Sequence, residues 1–130
     1  MAHEKILVVE DDGATALALG EILKDEGFDV TIQGDGEAGL KSALELHPDV
    51  ILADLKMPKM GGMEMIKEIR KDEWGKGVEI LILTNVSDIA VLEEAMTHNA
   101  FHYFVKGDSN IADVVAKVRE RLAAKANTAS

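Results

Sequence analysis

Five short apolar runs alternate with five stretches of helical period, and this alternation restricts the fold more than any other feature of the chain. The runs are approximately Lys5 to Val9, Phe28 to Ile32, Val50 to Asp54, Val78 to Leu83 and Phe101 to Val105. The first, third and fourth are almost continuous in Ile, Leu and Val, as expected of strands covered on both faces. The second is polar at alternate positions and suits a sheet edge. Between the runs, helical patterns span about Ala14 to Asp25, Gly36 to Glu45, Met63 to Asp72, Asp88 to His98 and Ile111 to Leu122. In the first, Ala16, Leu19, Ile22 and Leu23 share a face, and Gly27 supplies the stop. The second ends before His47-Pro48, because the residue preceding a proline is biased out of helix. In the last, Ile111, Val114, Val115, Val118 and Leu122 trace one face.

Strand and helix alternating five times predicts an α/β fold, a doubly wound five-stranded parallel sheet with helices on both sides. The expected strand order is 2-1-3-4-5, the flavodoxin-like arrangement. With 130 residues, the chain has the length of one domain. Residues 1–122 are assigned to that domain, and 123–130, small and polar, to a tail that frays.

In a parallel sheet every strand's carboxyl end lies on one side, where open α/β sheets place their chemistry. The strand ends can therefore be read as one site. The first run ends in Glu10-Asp11-Asp12, the third in Asp54, the fourth in Thr84 and the fifth in Lys106. Residues Gln33 to Gly36, after the second run, are expected to lie off to one side. Clustered carboxylates repel unless a cation neutralises them. Mg²⁺ suits them, since it takes one or two carboxylates and keeps positions for phosphate oxygens. A metal, a lysine and a hydroxyl around one carboxylate make a set of parts for phosphoryl transfer. Each part also has an ordinary reading: Asp12 as a helix N-cap, Thr84 as a turn residue, Lys106 as a snorkelling surface lysine.

The motifs that decide between these readings are Ile6-Leu7-Val8-Val9-Glu10-Asp11-Asp12, Pro48-Asp49-Val50-Ile51-Leu52-Ala53-Asp54, Met57-Pro58-Lys59-Met60-Gly61-Gly62, Leu83-Thr84 and Ala100-Phe101-His102-Tyr103-Phe104-Val105-Lys106. Together they resemble the receiver domain of two-component response regulators, in particular single-domain chemotaxis-type receivers, from Lys5 to Leu122. The resemblance implies that Asp54 accepts a phosphoryl group from a sensor histidine kinase or a phosphotransfer protein. It implies that Glu10, Asp11, Asp54 and the backbone carbonyl of Lys56 hold Mg²⁺, with Asp12 as a further acid. Thr84 and Lys106 would each engage a phosphoryl oxygen, and Tyr103 would be the switch aromatic or, on the plainer reading, a packing residue. Lys56, Asn85 and Val86 occupy positions that tune phosphate lifetime in the family. Where the family has proline after the strand-five lysine, often through a cis bond, this chain has Gly107. A non-proline cis bond costs about 2.5–4 kcal/mol, so a trans bond and a rearranged loop from Gly107 to Asn110 are expected, with Ser109 or Asn110 capping the last helix.

Three rivals are weighed. A phosphohydrolase of the haloacid-dehalogenase type needs a second Asp two residues after the nucleophile, and that position is Lys56. A phosphorylation-independent pseudo-receiver is disfavoured by the intact acids. A flavin carrier is disfavoured because acids replace the phosphate loop after the first strand. The favoured reading is a signalling protein that catalyses only its own phosphorylation and dephosphorylation. It acts on a downstream protein through the face of helix four, strand five and helix five, and a homodimer formed on phosphorylation is left open. Output by protein contact and a domain cut from a longer regulator look identical in the sequence. The net charge of −10 argues against direct nucleic-acid contact. The chain has no Cys, and the apolar run before Glu10 is only four residues long, Ile6 to Val9. That is too few for a signal or membrane segment, so a cytoplasmic location without membrane contact is expected.

Overall fold

The structure, a computed structural model, describes residues 3–57, 59–84, 89–98, 102–105 and 111–129. In chain order the elements are β1 (Lys5–Val9), α1 (Gly13–Asp25), β2 (Asp29–Gln33), α2 (Gly36–Leu46), β3 (Val50–Asp54), α3 (Gly62–Lys71), a 3₁₀ turn (Trp74–Lys76), β4 (Glu79–Thr84), α4 (Ile89–Thr97), β5 (His102–Val105) and α5 (Ile111–Ala129). The strands form one parallel sheet in the order β2-β1-β3-β4-β5, the flavodoxin-like arrangement expected from the alternation.

Successive side chains of a strand point to opposite faces, and this rule divides the core in two. Leu7, Val9, Ile51, Ala53, Ile80 and Ile82 face α2, α3 and α4, where they meet Ala43, Met65, Ile66, Ile69 and Ala95. Ile6, Val8, Val50, Leu52, Leu81 and Leu83 face α1 and α5, where they meet Leu19, Leu23, Val114, Val115 and Val118. β3, the central strand, is buried along its whole length. Each large side chain so enclosed contributes about 1.5–3 kcal/mol relative to exposure. β2 is only half-buried after Asp29, which matches its polar alternation and its place at the edge.

The structure departs from the sequence expectation at several places. β2 and β4 begin one residue after their apolar runs, because Phe28 and Val78 are buried just before ladder pairing starts. Ile22, expected on the inner face of α1, is 37% exposed. α5 continues to Ala129, past Leu122 and through the residues expected to fray. Ala123, Ala124, Ala126 and Ala129 give that stretch high helix propensity. No helix among the described residues is long and apolar enough to cross a membrane.

Candidate functional site

Register brings the first acids together. Val9 pairs with Ala53 across β1 and β3, so the residues that follow, Glu10 and Asp54, leave the sheet side by side. Glu10 is 1% exposed and Asp54 6%, whereas Asp11 stands in solvent. One carboxylate oxygen from each of Glu10, Asp11 and Asp54 lies within 4.8 Å of the others.

Backbone groups orient these acids. The Asp12 N–H donates to Glu10 Oε2 at 3.3 Å, and the Lys56 N–H approaches Asp54 Oδ1 at 3.4 Å. Asp12 occupies the extended N-cap position of α1 and makes no side-chain bond to the helix amides. Its carboxylate accepts from the Thr15 hydroxyl instead, and it stands outside the group of three. After Asp54 the chain turns tightly. The Gly62 N–H donates to the Leu55 carbonyl at 2.9 Å. A Cβ on Gly62 would lie well under 3.0 Å from the Asp54 carbonyl, so α3 can start this close to the acid only from a glycine. Lys59 takes up the turn with φ of +66°, and the Lys56 side chain is exposed.

Residues Gln33 to Gly36 follow the edge strand β2, to one side as expected, yet their backbone reaches the segments that carry the acids. The Glu10 N–H donates to the Gln33 carbonyl, and the Gly36 N–H donates to the Met60 carbonyl, both at 3.0 Å. The β2–α2 connection thus touches the loops of both buried acids. Its signal in the sequence is Gly34-Asp35-Gly36, an N-cap between two glycines. Asp35 does cap α2, accepting from the Ala38 N–H at 2.8 Å.

In register Asp54 pairs with Leu83, and Thr84 follows at the end of β4 opposite Val105. The side chains of Thr84 and Tyr103 lie outside the described residues, as do Asn85, Val86, Lys106 and the Lys106–Gly107 bond.

Three carboxylates this close repel one another, and a hard cation removes that cost. The three acids offer an all-oxygen anionic donor set with oxygens within 4.8 Å of one another, the kind of set such an ion takes. At the opposite end of the sheet, burial lowers the pKa of Arg70, against an opposing pull from Glu79. Burial and the charges of Arg121 and Lys117 lower that of His102.

Comparison with known proteins follows the same lines. The family model described as the response regulator receiver domain matches residues 6–119. The chain is 37% identical over 120 residues to the DNA-binding response regulator MtrA of Mycobacterium tuberculosis, covering 92% of this chain and 51% of that protein. It is 35% identical over 118 residues to the response regulator ArlR of Staphylococcus saprophyticus, covering 91% of this chain and 52% of that protein. It therefore spans about half the length of these curated relatives. Among solved structures, a CheY-like receiver domain from Methanospirillum hungatei superposes with a TM-score of 0.91 at 25% identity, covering 98% of this chain and 99% of that one. The chemotaxis protein CheY4 of Vibrio cholerae gives 0.84 at 28% identity, covering 92% of this chain and 98% of that one.

Proposed function

The chain belongs to the response regulator receiver domain family, and from that premise we propose that Asp54 is its phosphoacceptor. One observation carries this reading. Asp54 is buried at the carboxyl end of the central strand, with its carboxylate within 4.8 Å of those of Glu10 and Asp11.

An Asp54 oxygen attacks the phosphorus of a phosphohistidine on a sensor kinase or phosphotransfer protein. The P–N bond breaks with its electron pair on the imidazole, which takes up a proton, and a P–O bond to Asp54 forms. Glu10, Asp11 and Asp54, with the Lys56 backbone carbonyl, would hold Mg²⁺. When bound, that ion supplies positive charge to the phosphoryl oxygens. The Lys56 N–H, 3.4 Å from Asp54 Oδ1, helps orient the attacking carboxylate. Burial of Asp54 keeps bulk water from much of the acyl phosphate. Thr84 and Lys106 receive phosphoryl oxygens, and Tyr103 couples Thr84 to the surface. Lys56, Asn85 and Val86 set how fast water removes the group.

The signal leaves through α4, β5 and α5, where β5 is the sheet edge, to a protein target. In this reading the chain turns over only its own phosphoryl group. The DNA binding named for MtrA belongs to a protein twice as long, and the charge of −10 opposes direct contact between this chain and a polyanion.

The test is incubation with acetyl phosphate and Mg²⁺ followed by intact mass. One added phosphoryl group is expected, absent without Mg²⁺ and absent in Asp54→Asn. Labelling that persists in Asp54→Asn refutes the assignment.

A further inference from the structure

We propose that Gly36, outside the acid cluster, is a positioning residue for metal binding at Glu10, Asp11 and Asp54. This rests on reading that cluster as a metal site. The connection Gln33-Gly34-Asp35-Gly36 is tied at one end to the Glu10 N–H through the Gln33 carbonyl. At the other end the Gly36 N–H donates to the Met60 carbonyl in the loop that follows Asp54. It therefore links the backbone at Glu10 to the loop that follows Asp54, beside the carboxylates that the β1–β3 register sets next to each other.

The brace is anchored on a rigid element. Gly36 is the first residue of α2, and Asp35 caps that helix through the Ala38 N–H. α2 itself sits hard against the sheet, since a Cβ on Gly39 would stand 2.8 Å from both Val9 methyls and from Met65 Sδ. Two further features hold the far end. Lys59 Nζ lies 3.9 Å from Asp35 Oδ2, and Lys59, next to Met60, takes the left-handed conformation with φ +66°.

Glycine is required at the junction. A Cβ on Gly36 would lie well under 3.0 Å from the Met60 carbonyl oxygen and 2.8 Å from its carbon. Backbone atoms cannot swing aside as a flexible side chain can, so a methyl group there pushes the Asp54 loop away from α2. The Lys56 carbonyl is on that loop, which starts directly after Asp54 at the end of β3, and a shift moves it relative to Glu10.

The experiment is calorimetric titration of MgCl2 into the wild-type chain, Gly36→Ala and Gly75→Ala. Gly75 is a matched control: its Cβ would clash equally hard, with the Ile69 carbonyl, after α3 and away from the strand ends that carry the acids. All three are measured below their thermal transitions. Gly36→Ala is expected to raise the Mg²⁺ Kd about tenfold, the scale on which loss of outer-shell support weakens a metal site. Gly75→Ala, a distant site, should stay within about twofold of wild type. In acetyl phosphate labelling, the Mg²⁺ midpoint for Gly36→Ala should rise in parallel while the plateau rate is kept. Equal Kd values for wild type and Gly36→Ala, an equal loss in Gly75→Ala, or a lowered plateau with an unmoved midpoint each overturn the proposal. Absence of Mg²⁺ binding by the wild type overturns the receiver reading of the cluster and this inference with it. If Gly36→Ala lacks a cooperative transition, Asp35→Ala takes its place. It removes the α2 cap and the Lys59 pairing without a clash, and a Kd raised about threefold is expected from a lost cap; an unchanged Kd overturns the proposal.

Discussion

Asp11→Asn should stabilise this protein in the absence of divalent metal, the reverse of what most substitutions do. Asp11 has two carboxylate neighbours, with oxygens within 4.8 Å. At that distance two unit charges repel by about 0.9 kcal/mol in a water-like dielectric, which suits an exposed residue. The two pairs together give about 1.7 kcal/mol, and moderate salt roughly halves this over a Debye length of about 10 Å. The expected gain is about 1 kcal/mol at 0.1 M salt, larger at low ionic strength and smaller in 1 M NaCl. Urea unfolding in EDTA measures it directly. Adding excess Mg²⁺ should then reverse the ranking. The wild type gains RT ln(1 + [Mg²⁺]/Kd), whereas the variant, short of one carboxylate, gains far less. Asp11→Asn that is less stable than wild type in EDTA, or that gains as much from Mg²⁺, refutes the view that the three acids are held together at an electrostatic cost which a cation relieves.

Two further outcomes concern the opposite end of the sheet. Among the described residues, Arg70 donates to the carbonyls of His98 at 2.8 Å, Gly75 at 2.6 Å and Val78 at 2.8 Å, tying the end of α3 to the approach to β4 and the end of α4. Arg70→Met strips donors from all three, and charged hydrogen bonds are worth about 1.5–3 kcal/mol each before non-additivity and burial of the guanidinium are counted. A loss of about 3 kcal/mol, roughly 10 °C in Tm, is expected in thermal unfolding with the Mg²⁺ Kd unmoved; a loss under about 1 kcal/mol contradicts it. His102 has its pKa held below the usual 6.5 by burial first, then by Arg121 and Lys117. The native state thus binds its proton less readily than the unfolded chain, so the stability it contributes is present above pH 6.5 and is lost as pH falls below that value. Urea melts between pH 7.5 and 5 should show a shallower decline for His102→Gln than for wild type, and equal slopes would contradict the assignment.

The fold was legible because each level of the sequence agreed with the next. The bounds of β1 and β3 coincide with their apolar runs, since central parallel strands are buried on both faces and stop where polar residues begin. Agreement slips by one residue at β2 and β4, where Phe28 and Val78 are buried ahead of the ladder. Burial and backbone pairing are separate conditions, and hydrophobicity reports only the first. After Leu122, where small and polar residues suggested a tail, the alanines favour the helix that α5 adopts to Ala129.

For the site, a parallel sheet gathers every strand's carboxyl end on one side, so Glu10, Asp11 and Asp54 could be placed together from strand order alone. What strand order cannot reveal is how loops meet. The link from Gly36 to Met60 joins residues far apart in the chain through backbone atoms, and no side-chain pattern announces it. The glycines do carry a trace. Gly36, Gly62 and Gly75 each leave room for a carbonyl oxygen, of Met60, Asp54 and Ile69 respectively, whereas Gly13 and Gly34 have open space around them. All five look alike in a sequence, as turn residues. The difference is geometric: two of the three crowded glycines hold the chain on either side of Asp54's loop, at Met60 and at Asp54 itself. A carboxylate at a strand end is common, and its use as a phosphoacceptor depends on being held at a fixed distance from its neighbours. In this chain the β1–β3 register sets the two buried acids side by side, and the close backbone contacts at Gly36 and Gly62 hold the loop that follows Asp54.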